Sequence, residues 1–242
     1  MSDRQRYISP YLTHFAGREC KSDDERYEVL KKILKEGWIL SQTLDGCTSS
    51  LKARQTSAAI QIRFEENISE SRNQMVNPEM VCFCDIPIGD LHIHTEKYSH
   101  FGLAFDKQFI ASHRGGPVYY VPIHASSVLP GGEGPERKHE IDRGFRECYD
   151  LLHELIRANN EWSVKANEVD SFLISNIYAY VCCFDHMLPE NDPKNYYFER
   201  EWRILGSLRF HLSDVRIILL PERYARRFRE DFPEYCGQLI FL

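Results

Sequence analysis

The 242-residue sequence has no long hydrophobic run: stretches such as Ile217–Leu220 and Leu239–Leu242 are short, and none approaches the ~20 residues of a membrane-spanning helix. Met1-Ser2-Asp3-Arg4-Gln5-Arg6 leads into no signal-peptide core, so the expectation is a soluble, cytoplasmic protein. Basic charge is not in excess. The net charge of -6 removes any global attraction to nucleic acid, and the local cluster Arg223, Arg226, Arg227 and Arg229 reads as a solvated helix face. No internal repeat is present. The glycines of Pro130–Pro135 lack the Lys-Ser/Thr of a phosphate-binding loop, so a loop is all they support.

What is present fits one substantial core, and the expectation is a single domain over 1-242 with a helical insertion at about 137-188. The eight cysteines, without an export signal, argue for free thiols; Cys182 and Cys183 sit in an apolar pattern where cysteine acts as a small buried hydrophobe. Ser22 and Glu25 have capping-box spacing, and Tyr27, Leu30, Ile33 and Leu34 recur at helical intervals until Gly37, which predicts a helix over 23-36. Strands are expected near 38-40, 80-86, 101-105, 118-121, 201-206, 215-220 and 238-242, with short helices over about 106-113 and 222-230. Residues 44-77 read as a long polar loop or weak helix. Two helical patterns follow, about 138-158 and 165-187, the second with Val169, Phe172, Leu173, Asn176, Ile177, Tyr180, Val181 and Phe184 as its core face. Strands at both ends around helices, without regular βαβ alternation, indicate α+β.

The most informative stretch is Phe198-Glu199-Arg200-Glu201-Trp202-Arg203-Ile204-Leu205. In an extended strand side chains alternate, so Glu199, Glu201 and Arg203 would share one face. Such a pair can do acid-base chemistry, or form a solvated ladder in which Arg203 neutralises Glu201. Cys82-x-Cys84 and His92-x-His94 could converge on zinc if both lay on strands, but the spacing is not that of common zinc sites, and the expectation is no bound metal.

Four blocks in order, Val81-Cys82-Phe83-Cys84-Asp85-Ile86-Pro87, Tyr98-Ser99-His100-Phe101-Gly102-Leu103-Ala104-Phe105-Asp106, Pro117-Val118-Tyr119-Tyr120-Val121 and Glu199-Arg200-Glu201-Trp202-Arg203, resemble the AbiGi family of bacterial abortive-infection proteins. The Thr13-His14 strand, the helix ending in a Gly turn and the late Glu-bearing strand resemble an ADP-ribosyltransferase-like fold, with a split β-sheet and the helices as a central insertion. That resemblance implies NAD as ligand. His14 would hydrogen-bond the adenosine ribose, with Thr13 also among the cofactor-binding residues, while Tyr98, Ser99 and Tyr119 compete for the place beside nicotinamide. Glu201 would accept from the nicotinamide ribose and stabilise oxocarbenium charge, with Glu199 orienting the acceptor. His14 and Glu201 would then line one concave surface. The acceptor would be a protein or nucleic acid, or water in simple NAD cleavage. A non-catalytic antitoxin or sensor that binds a partner protein is the alternative, and a high density of exposed aromatics over the helical insertion would favour it.

Overall fold

A computed structural model describes residues 9–41, 79–122, 126–128, 138–140, 163–185, 187–189, 192 and 197–242, with 144, 147–148, 150–152 and 154–155. The loop expected over 44-77 and the Pro130–Pro135 breaker lie outside these residues. The chain divides into two compact units, a sheet unit of Met1–Ile60, Glu79–Pro117 and Glu199–Leu242, and a second unit of Gln61–Pro78 and Val118–Phe198.

In chain order the elements are β1 (Tyr11–Phe15), α1 (Asp23–Glu36), β2 (Trp38–Ile39), β3 (Met80–Cys84), α2 (His92–Lys97), β4 (Gly102–Asp106), α3 (Lys107–Ser112), β5 (Gly116–Pro117) and β6 (Tyr119–Pro122). There follow β7 (Ser126–Val128), β8 (Lys138–Glu140), α4 (Ser163–Asn176), β9 (Val181–Phe184), β10 (Glu201–Leu205), β11 (Leu208–Arg209), β12 (Val215–Leu220), α5 (Ala225–Asp231) and β13 (Gln238–Phe241). The fold is mixed α and β around a large sheet.

Helix α1 forms where its signals place it. Ser22 Oγ accepts from the Glu25 amide at 3.3 Å, and Asp23, Asp24 and Glu25 put negative charge at the positive end of the helix dipole. Gly37 ends it in a left-handed turn (φ 66°), its N–H donating to Ile33. A Cβ there would stand 2.7 Å from the Phe210 carbonyl oxygen, so both conformation and space require glycine.

The seven-stranded sheet runs β13-β12-β4-β1-β3-β10-β5, antiparallel except for the β12/β13 pair. Alternation then assigns faces. One face carries Leu12, Phe83, Leu103, Phe105 and Ile204 against Tyr27 and Leu30 of α1, all in one buried cluster. Full burial of each such side chain contributes about 1.5–3 kcal/mol. The other face carries Cys84, Ala104, Ile217 and Leu219 with Leu91, Tyr11 and Phe15. The arginine cluster is paired with acids: Arg223 with Asp23 and Arg227 with Asp24 and Glu28, which ties the C-terminal segment to α1, and Arg226 with Glu230 along its own helix. That C-terminal helix begins at Ala225, after a 3-10 turn over Glu222–Tyr224.

In the second unit β6 and β9 pair in parallel, and β7 and β8 antiparallel. The helix expected from 138 is a strand over its first three residues; residues 144, 147–148, 150–152 and 154–155 are helical. The helix expected over 165-187 stops at Asn176. A 3-10 turn (Tyr178–Tyr180) and β9 replace its second half, because the short apolar run Val181-Cys182-Cys183-Phe184 finds strand partners in β6. Cys182 and Cys183 are buried on β9. The core face assigned to α4 is a correction: Val169 is 49%, Phe172 59% and Ile177 44% exposed.

Candidate functional site

The register of β1, β3 and β10 sets the geometry. Thr13 and Glu201 each lie opposite Cys84, and Arg203 lies opposite Cys82, so these side chains share one face. Glu199 reaches the same place by another route than strand alternation. It ends a 3-10 turn (Tyr197–Glu199), Arg200 takes a left-handed conformation at φ 47°, and the strand begins only at Glu201. Asp85 holds this turn. Its amide donates to the Arg200 carbonyl at 3.1 Å, its carboxylate accepts twice from Lys107 Nζ at 2.8 Å, and Arg200 Nη2 stands 3.9 Å away. A non-glycine residue held at positive φ is strained, and the Asp85 clamp is what sustains it.

Both carboxylates are engaged. Arg203, fully buried, donates from Nε and Nη2 to the two oxygens of Glu201, each at 2.9 Å, a planar fork on a carboxylate. Glu199 Oε1 accepts from Lys97 Nζ at 2.5 Å and from the Tyr98 hydroxyl. Burial raises the Glu199 pKa above its ordinary value, Lys97 and Tyr98 oppose that, and the Glu201 charge adds to it. Burial likewise pushes the Tyr98 hydroxyl and the Cys82 thiol up, Cys82 further by Glu201, and Cys84 to about 12. A thiol held protonated in this way is a poor nucleophile. The ladder pairing of Glu201 with Arg203 is therefore present, but inside the protein instead of on a solvated edge.

The other expected site residues divide. Tyr98 stacks on Phe15, with the Arg18 guanidinium 5.0 Å from its ring centroid, and so belongs to the Glu201 face. Thr13 is 1% exposed on that face, and its Oγ1 has no hydrogen-bond partner among the described residues. Ser99 is buried and accepts from the Phe101 amide, a local turn contact. His14 alternates to the opposite face: it packs on Phe83, and its Nδ1 lies 2.9 Å from the Cys82 carbonyl oxygen. It does not share a surface with Glu201. Burial lowers its pKa below 6.5. Tyr119 lies in the second unit, on β6, and is exposed.

His92 and His94 sit on α2 instead of a strand, where residues two apart point to different sides. Among the described residues no group of three or more His, Cys, Asp or Glu is placed to hold a metal ion. Lys97 and Asp85 escaped the sequence reading because their partners lie 102 and 22 residues away along the chain, beyond any periodicity. A surface groove of about 620 Å³ lined by Phe109, His113, Arg209, Phe210, His211 and Asp214 contains none of these residues.

The fold and site define a mixed α/β protein whose large, mainly antiparallel sheet buries an ionic cluster on one face. More than half of the chain, residues 63–231, matches the sequence profile described as "Putative abortive phage resistance protein AbiGi, antitoxin". The chain belongs to the AbiGi family. No curated protein and no solved structure matches it. Among the described residues no helix is long and apolar enough to cross a membrane.

Proposed function

We propose that the protein serves abortive phage resistance as a non-catalytic regulator, an antitoxin or sensor that binds a partner toxin protein. One observation carries this reading: each carboxylate of the Glu199–Glu201 pair is engaged by a cation, Glu201 by the fully buried Arg203 and Glu199 by the half-buried Lys97, so gripping a sugar hydroxyl would first require breaking an ion pair. Removing one partner of such a pair typically costs ~3–5 kcal/mol, which opposes an open catalytic carboxylate. The family description, an antitoxin, supports the same role.

A second reading keeps an ADP-ribosyltransferase-like enzyme that transfers ADP-ribose from NAD or cleaves it. It is favoured by Thr13, Tyr98, Glu199 and Glu201 sharing one face and by a Thr13 hydroxyl without a partner among the described residues, and opposed by His14, which faces the other side of the sheet. The two readings separate in one experiment, incubation of the purified protein with labelled NAD, with and without cell lysate. The regulator releases no nicotinamide and leaves no label on protein or nucleic acid. Turnover that disappears in Glu201→Gln would reverse the order of the two readings.

A further inference from the structure

The two units differ in charge. The sheet unit holds 21 basic and 20 acidic residues, the second unit 9 basic and 16 acidic, so one chain carries units of net charge +1 and -7. The acidic unit also exposes apolar side chains in helical register. Leu151 and Leu155, four residues apart and 56% and 59% exposed, lie on one helix face beside exposed Asp150 and Glu154. Val169 and Phe172, three apart on α4, repeat the pattern beside exposed Glu168. Exposed Leu and Phe at such spacing mark a binding face more than a solvated one.

Charge says what covers it. A second copy of the same face would bring two acidic surfaces together, and nucleic acid would be repelled; a cationic surface is attracted and oriented. We infer that these acid-flanked apolar helix faces dock a partner protein whose contacting surface is basic, with apolar side chains at its centre. The inference rests on the regulator reading and deepens it by giving the partner's chemistry. Apolar contact supplies the hot spot, and the surrounding acids steer approach and reject like-charged competitors.

The test uses the full chain and a designed amphipathic helix of Lys and Leu about 18 residues long, with a Glu/Leu helix of the same pattern as control, read by fluorescence anisotropy. The Lys/Leu helix should bind, and its affinity should fall about tenfold or more between roughly 0.05 and 0.5 M NaCl. Leu151→Ser with Leu155→Ser, and Phe172→Ser, should each weaken it by about tenfold without lowering the melting temperature. Should a serine variant melt early, Asp150→Asn with Glu154→Gln reads the same face through charge alone and must weaken binding. Equal binding of the Glu/Leu helix, or unchanged binding by all variants, overturns the inference. So does a wild-type dimer that the serine variants dissociate, because a second copy would then be the occupant. The NAD assay is independent: turnover with helix binding intact removes the regulator reading and leaves this face standing, whereas silence with no binding removes this face alone.

Discussion

The sheet unit and the acidic unit dispose of their charged and apolar groups in opposite ways. In the sheet unit cations meet anions internally: Arg203 with Glu201, Lys97 with Glu199, Lys107 with Asp85, Lys31 with Asp231, while Leu12, Leu103 and Phe105 are fully buried. In the acidic unit Leu151, Leu155, Val169 and Phe172 face outward amid surplus negative charge. A region whose ionic and apolar groups are matched within itself is built for stability, whereas one that leaves both kinds outward is built to be completed by something else.

Substitution should expose that contrast most sharply at Arg203. Arg203→Met leaves Glu201 buried without its fork and should cost ~3–5 kcal/mol in urea unfolding; a cost below ~1 kcal/mol would mean that the pair is solvated and the two regions are less different than they look. Acid acts next. Burial depresses the pKa of His14 below 6.5 and of His94 to about 4, so the unfolded chain binds protons that the folded one does not. The stability these neutral imidazoles permit is complete above about pH 6.5 and is lost as pH falls towards 4. The melting temperature should therefore drop by about 5 °C between pH 7 and pH 5, and a flat profile would place both rings in contact with water. The smallest effect belongs to Phe172→Ser in the acidic unit, expected within ~0.5 kcal/mol of wild type because the ring already faces solvent. A loss above ~2 kcal/mol would make Phe172 core and dissolve the comparison.

Local signals were legible and long-range ones were not. Ser22, Glu25 and Gly37 placed α1 to the residue, because caps are chemistry within a few residues. The strands at 80–84, 201–205 and 215–220 followed from their apolar runs. The alternation argument put Glu199 and Glu201 on one side for the wrong reason, since nothing in Phe198-Glu199-Arg200 announces a left-handed arginine pinned by Asp85. Periodicity carried the 165-187 helix past Asn176 because a buried strand and a buried helix segment look alike over four residues. The opposite facing of His14 and Glu201 needed the register through β3, which pairing alone reveals.

The middle of the sheet is also assembled late. Strand β3, at residues 80–84, has β1 on one side and β10, at residues 201–205, on the other. More than 100 residues must leave the ribosome before that second neighbour exists. At about 5–20 residues per second, the edge of β3 waits on the order of 5–20 s with its amides unpaired and Cys82 and Cys84 uncovered. During that interval the nascent chain offers a ready template for mispairing and for oxidation. Expression should therefore depend on chaperone supply and a reducing cytosol more than the final packing would suggest.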